Sequence, residues 1–561
     1  MSNDLLARLQ AARSDEERSW LVTGSLLNSL PPGVAAAAWA AAIPHWFDAA
    51  ILAALLARPP AETEKLYARL QALPFVEPFA ARQGHNVHEV TRTAMLNHLW
   101  QTRPEEYRTY SARAAAYFTG GENPDWQIEQ VYHLLISEPD QGADRLWKLD
   151  ADWNNSFEYN LEYGLAQAAV EQAAANRTQG RARGWAYYCF GDMERRFYRH
   201  ETAKTALLLA LQSVDGDQRL AANCIKALGD VHRMLNEYPE ARARYEEALP
   251  LYRAIGNRLG AANCIRALGD VHQWLAEYAA ARARYEEALP LYRAIGNRWG
   301  EANCIQALGD VHQWLAEYPE ARARYEEALP LYRAIGNRLG AANCIKALGD
   351  VHQWLAEYPA ARARYEEALS LYRAIGARLG EANCIRALGD VYRILDEYPA
   401  ARARYEEALP LCRTIGDRLG EANCIYSLGD VHQRLAEYPE ARARYEEALP
   451  LYRAIGDRLG EANCFYGLGD VARGKKEWAE AERWFQAALR IYRATGIRLN
   501  IGLALRKLGA VAEGQGEQVK ATEFYREALQ IFEAIGVKEA DDVRADLRRV
   551  EKAGEHADGG N

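Results

Sequence analysis

An all-α fold, built as a solenoid of stacked helical hairpins, is predicted by three observations. Gly229, Gly269, Gly309, Gly349, Gly389, Gly429, Gly469 and Gly509 are each 40 residues apart. A fixed period of this size marks units that bury their apolar faces only against the next unit. Within a copy, apolar residues recur at helical spacing over two stretches, near 222–235 and 239–255. Pro239 suits the first turn of a helix and Gly256 the left-handed residue that ends one.

The elements before the repeats follow in order. Residues 1–24 read as helix, with Ser14 as N-cap and Glu17 completing a capping box. Leu27 to Leu56 reads as two apolar helical segments interrupted at Pro31, Pro32 and Pro44, and Leu66 to Leu73 as a third helix. The apolar run Val34 to Ala57 is broken by Pro44, His45 and Asp48, which argues for packed helices and against a membrane span. The polar opening Met1 to Glu17 does not read as a secretory signal. Phe75–Phe79 and Asn86–His88 read as short strands around a turn at Arg82–Gly84, and helix resumes from Val90 to Gln101. Three helices and a small hairpin make a winged-helix pattern. Pro104 to about Ala175 is helical and aromatic, with a break at Gly120–Pro124, and Asn176–Arg183 is a polar joint. The expected divisions are 1–103, 104–181, a repeat array of about nine units over 182–540, and a capping helix (541–552) with a disordered tail to 561.

Two resemblances follow. The Leu-Gly pair in the first helix, with Ala241, Tyr245 and Ala248 in the second, resembles the tetratricopeptide repeat, in its longer 40-residue form. That family implies a superhelix whose first helices line a concave groove for extended peptides or helices. The run LPFVEPFAARQGHNVHEVTRTAMLNHL is similar to the winged-helix segment of STAND-type signalling ATPases. Val87-His88-Glu89 falls where that family carries a Met-His-Asp-like motif, so the resemblance makes His88 a nucleotide-contact candidate. The phosphate loop G-x-x-x-x-G-K-[ST] does not occur, and Gly474-Lys475-Lys476 lacks its flanking residues. The family then implies a separate ATPase or effector reached through residues 1–180.

One face of the first helix carries the candidate partner-binding residues. By helical spacing, Ile225, Leu228, Val231 and Leu235 form its core side, and Asn223, Lys226, Asp230, Arg233 and Met234 another. Asparagine recurs at Asn223, Asn263, Asn303, Asn343, Asn383, Asn423 and Asn463, and aspartate at Asp230, Asp270, Asp310, Asp350, Asp390, Asp430 and Asp470. An amide side chain can both donate to and accept from a peptide backbone, which suits a ligand ladder. The same residues could equally bond their neighbours and hold the stack. Trp274, Trp314 and Trp354 form an aromatic strip between Met234 and Ile394, fit either for a partner's apolar anchor or for inter-helix packing. Lys226, Arg266, Lys346 and Arg386 place cations beside the aspartates, where Gln306, Tyr426 and Tyr466 stand in other copies. An acidic or carboxylate-bearing partner fits that pairing.

Several classes of function are disfavoured. Net charge is −9, from 68 Lys and Arg against 77 Asp and Glu. Residues 61–103 hold five bases (Lys65, Arg69, Arg82, Arg92, Arg103) and four acids (Glu62, Glu64, Glu77, Glu89), a poor footprint for DNA. A winged-helix transcription regulator is nevertheless the alternative reading. Cys224, Cys264, Cys304, Cys344, Cys384, Cys424 and Cys464 share one repeat position and sit on different units, too far apart for disulfides. Cys189 and Cys412 have no evident partner. Buried thiols in a reducing, cytoplasmic setting are expected. His232, His272, His312, His352 and His432 are periodic and make a surface. Cys224 and His232 lie about 12 Å apart along a helix, too far for proton transfer. No enzyme activity, cofactor or metal is expected. Proline at Pro250, Pro290, Pro330, Pro410 and Pro450 predicts a kink or break in the second helix, with Ser370 and Arg490 as replacements.

Overall fold

The computed structural model describes residues 3–12 and 14–558. They divide into two compact units, Met1–Ile295 and Gly296–Asn561. The first unit opens with α1 (Asn3–Ala11), α2 (Asp15–Ser29), α3 (Pro32–Ala41), α4 (Ala49–Leu56) and α5 (Pro60–Leu70). An antiparallel hairpin follows, β1 (Val76–Phe79) with β2 (Gly84–Val87), joined by a 3-10 turn over Ala80–Arg82. The hairpin gains a third edge where Phe47 bridges His85. Then come α6 (Glu89–Thr102), α7 (Pro104–Tyr117), α8 (Pro124–Ser137), α9 (Pro139–Asn155) and α10 (Tyr159–Ala174). Proline opens α3, α5, α7, α8 and α9, where its missing N–H costs no intrahelical bond. Ser14 caps α2 by accepting from the Glu17 amide at 3.1 Å. Trp39, Phe47, Leu52, Leu99 and Tyr107 belong to one buried core.

The predicted pair of apolar helices over 27–56 is in fact the end of α2 plus α3 and α4, because Asp48 starts a new helix by accepting from the Ile51 amide at 2.7 Å. Within the polar stretch 176–183, Asn176 and Gln179 are exposed while its centre is packed away. Arg177 and Thr178 are buried, and Arg177 donates to Asn97 Oδ1 at 2.6 Å and Gln172 Oε1 at 3.2 Å.

Nine hairpins follow among the described residues, each an A helix and a B helix. Three lie in the first unit, beginning with Gly180–Arg196 and His200–Leu211. Six lie in the second, from Arg298–Trp314 with Tyr318–Ala334 to Arg498–Gly514 with Gln518–Ile535. Glycine sits where A and B helices touch. A Cβ on Gly269 would stand 2.6 Å from the Tyr285 ring. Gly256 ends a B helix at φ +68°, and Asn257 caps the next A helix by accepting from the Gly260 amide at 2.9 Å. The A-to-B turn passes through a left-handed residue that is not glycine, such as Ala276 and Ala356. A histidine and a glutamate clasp that turn: His272 Nδ1 lies 2.5 Å from Glu277 Oε2, and His352 Nδ1 2.5 Å from Glu357 Oε2.

Of the kink or break expected at proline, the break does not occur. Tyr238–Ala254 and Tyr438–Ile455 run through Pro250 and Pro450. Pro250 and Glu246 are both exposed, so the carbonyl that proline leaves unpaired meets water. Leu235, half-buried just past the helix end, packs against the buried cluster of Leu207, Leu228 and Val231. Helix Glu539–Asp558 packs Val543 and Val550 on the last hairpin. It runs past the expected limit at Lys552, and residues 559–561 of the expected tail lie outside the described residues.

Candidate partner-binding face

The asparagine and aspartate ladders are braced from inside each hairpin. B-helix tyrosines reach back to the A helix. Tyr252 donates to Asn223 Oδ1 at 2.7 Å, Tyr292 to Asn263 at 2.7 Å, Tyr332 to Asn303 at 2.6 Å and Tyr372 to Asn343 at 2.7 Å. Tyr452 and Tyr492 do the same for Asn423 and Asn463, both at 2.7 Å. Asn383 is the exception, because Cys412 occupies the tyrosine position. A second tyrosine serves the aspartates, except Asp470, where Phe485 stands at that position: Tyr285 donates to Asp270 at 2.9 Å, Tyr325 to Asp310 at 2.7 Å, Tyr365 to Asp350 at 2.8 Å and Tyr405 to Asp390 at 2.8 Å. Burial and the adjoining carboxylate push the Tyr325, Tyr365 and Tyr405 hydroxyls far up, so they remain donors. The bond to asparagine uses the amide oxygen and leaves the NH2 group out of it.

The other aspartate oxygen takes a cation one turn back on the same helix. Lys226 reaches Asp230 at 2.7 Å, Arg266 reaches Asp270 at 2.7 Å and Lys346 reaches Asp350 at 2.6 Å, while Arg386 stands 3.6 Å from Asp390. Tyr426 and Tyr466 are half-buried. Tyr426 packs on Tyr445 and Tyr466 on Phe485, so these two behave as packing residues.

The tryptophans differ from all of these. Trp274, Trp314 and Trp354 are 67%, 67% and 66% exposed. Trp274 stacks on Tyr238 at 6.2 Å and Trp354 on Tyr318 at 6.2 Å, both nearly parallel. Large aromatic side chains left this open are costly in water and suited to a partner's surface. A second set of exposed apolar residues, Leu259, Leu339, Leu379, Leu419, Leu459 and Leu499 with Trp299, opens each A helix from Arg258 on. Its signal in the sequence is the repeated Arg-Leu-Gly, with Arg-Trp-Gly once, where an apolar residue recurs off the core stripe. In the first unit Asn223 borders a hollow of about 440 Å³ with Trp147, Asp150 and Trp185. Burial, with Glu162 and Asp192 nearby, raises the Asp150 carboxyl to about 7.

His88 is exposed at the start of α6. Its amide donates to the Phe75 carbonyl at 2.8 Å and its carbonyl accepts from Arg92 at 2.8 Å. The cysteines are free and buried. Two of them do have neighbours that the sequence reading lacked: Cys189 lies beside Asp150, and the Cys412 thiol lies beside that of Cys424. Among the described residues no group of three or more His, Cys, Asp or Glu could hold a metal. None of their helices is long and apolar enough to cross a membrane.

Sequence reasoning missed a partly buried ionic cluster in the first unit, beside a hollow of about 570 Å³. His45 binds Glu129 through Nδ1 and lies 3.2 Å from Glu171 through Nε2. Arg92 reaches Glu171 at 3.1 Å, Tyr132 at 2.9 Å and the Ala42 and Ile43 carbonyls at 3.1 and 3.2 Å. Although burial opposes the charge, Glu129 raises His45 to about 9. Glu129 and Glu171 are held far below the carboxylate range: burial works against that, and His45 and Arg92 outweigh it.

The family model described as tetratricopeptide repeat matches in overlapping stretches from residue 182 to 534. The chain belongs to that family. A solved structure similar to it is a STAND protein with a tetratricopeptide repeat sensor from Pyrococcus horikoshii, at 13% identity and a TM-score of 0.51, covering 82% of this chain and 69% of that one. The apo form of the quorum sensor NprR from B. thuringiensis is also similar, at 14% identity and a TM-score of 0.47, covering 62% of this chain and 96% of that one. No curated protein matches.

Proposed function

We propose that this chain is a peptide- or protein-binding sensor whose A-helix face, within the second unit, anchors its partner on Trp314 and Trp354, with the asparagine NH2 groups meeting the partner's backbone. The observation that carries this is the two-thirds exposure of the same tryptophan in three copies. The braced Asn and Asp oxygens fix the face and hold its donors in place. On this reading residues 1–181 relay the event to a separate effector, such as an ATPase, in a cytoplasmic setting. The order α3, Phe47 bridge, α4, α5, β1, β2 supports a winged-helix reading of the relay. Its α5 carries Glu62 and Glu64 beside Lys65 and Arg69, a charge mixture that disfavours a DNA groove.

Panning a displayed random-peptide library against the full chain tests the binding face. Enriched peptides should share an apolar anchor and lose affinity for a Trp314→Ala, Trp354→Ala variant. Enriched peptides that bind this folded variant equally well would sink the proposal.

A further inference from the structure

One copy breaks the rules of its siblings. Elsewhere a B-helix arginine reaches the next B helix: Arg253 donates to Glu287 at 2.8 Å, Arg333 to Glu367 at 2.9 Å, Arg373 to Glu407 at 2.6 Å and Arg413 to Glu447 at 3.0 Å. At Arg453 the partner position is Ala487. In the same helix, Trp478–Thr495, Gln486 replaces the other glutamate, Arg483 replaces an alanine, Trp484 an arginine and Arg490 the proline. Two sibling carboxylates and two sibling arginines are gone, Glu482 stands at one of those arginine positions, and Arg483 and Arg490 are new cations.

These changes surround a hollow of about 650 Å³. Arg453, Arg458, Arg483 and Arg490 line it, and Glu461 is the single acid on its wall. Glu461 is already engaged, by Arg453 Nε at 2.8 Å and Arg458 at 2.6 Å. The Phe465 and Trp484 rings stack at 5.4 Å. Arg453 stands over Phe465 at 5.6 Å and Arg483 over Trp484 at 4.6 Å. Each guanidinium is thereby oriented by a ring face; Arg453 gives its Nε to Glu461 and keeps the Nη2 donor that its siblings give to the next B helix, and Arg483 Nη2 stands 3.8 Å from Glu480.

The geometry points to a second binding site here, for an acidic peptide segment of a partner protein. The ring faces are covered by the guanidinium groups, so a stacking ligand is not served. Arg483 and Arg490 are seven residues apart on one helix, about 10 Å along its axis, and Arg453 lies on the preceding B helix. Cations spread over that distance suit successive carboxylates on a chain better than one compact phosphate.

The test uses the full chain and a short fluorescein-labelled peptide with glutamate at every second position, read by anisotropy. Saturable binding that weakens with salt is expected, with none for the glutamine version of the peptide. Ala487→Glu installs the sibling residue, returns Arg453 to its usual partner and should weaken binding about tenfold while the helical circular dichroism is kept. Arg483→Ala, also the sibling residue, should weaken it without adding charge. Trp354→Ala should leave it unchanged, which separates this site from the A-helix face. Equal binding by folded Ala487→Glu and Arg483→Ala variants would overturn the proposal. So would binding of inorganic pyrophosphate with none of the glutamate peptide.

Discussion

The hydroxyl of Tyr372 donates to Asn343 Oδ1 at 2.7 Å and ties the B helix of one hairpin back to its own A helix across 29 residues. The tyrosine ring packs where a Cβ on Gly380 would stand 2.4 Å away, so the next hairpin is shaped around the same side chain. Tyr372→Phe keeps the ring and removes the bond. It should destabilise the second unit by about 1 kcal/mol, read by urea unfolding.

Cys412 interrupts this series. Asn383 has no tyrosine hydroxyl, and the Asp417 carboxylate and Cys412 thiol stand beside Gly420, where the next copy fits Tyr452 beside Gly460 with Asp457 in the same cap. Cys412→Tyr should therefore stabilise the protein, by about 1 kcal/mol. A lowered melting temperature would contradict that.

Ala356 sits at φ +58° in its A-to-B turn. A side chain there costs about 1 kcal/mol, and the His352–Glu357 clasp holds the turn against it. Ala356→Gly should gain up to about 1 kcal/mol, and His352→Ala should lose a similar amount. Thermal unfolding of both variants checks the pair of signs.

The His45 cluster predicts a pH profile for the first unit. His45 is raised from 6.5 to about 9, so its contribution is full below 6.5 and is lost as pH rises through 9. Glu129 and Glu171 are depressed from 4.5, so theirs is full above 4.5 and lost under acid. Stability from this cluster should peak between those limits. His45→Gln should cost about 2 kcal/mol near pH 6, less than for a fully buried pair because a third of the His45 side chain meets solvent. The difference from the parent should shrink above pH 9.

The hairpins were legible because a 40-residue period writes the same A and B helices many times, and the apolar stripe Ile225, Leu228, Val231 recurs with it. The ladders were legible as ladders, while their bonding was not. Tyr252 and Tyr245 have core spacing, and nothing in the pattern says which hydroxyl faces Asn223 or Asp230. The ionic cluster left no local trace, since His45, Arg92, Glu129 and Glu171 are far apart in the chain and meet only through packing of α6, α8 and α10. Proline misled for a related reason: its cost depends on whether the unpaired carbonyl meets water, which is a property of the surface and not of the helix period.

The arginine-to-glutamate stitch between successive B helices also makes the joints interchangeable. Arg333 finds Glu367 as Arg373 finds Glu407. Excising residues 338–377 would hand Arg333 the glutamate that Arg373 now holds, with the same glycines and caps on either side of the seam. Copy number in this stretch is thus a dial that whole-block gain or loss can turn, lengthening or shortening the protein without inventing a new contact.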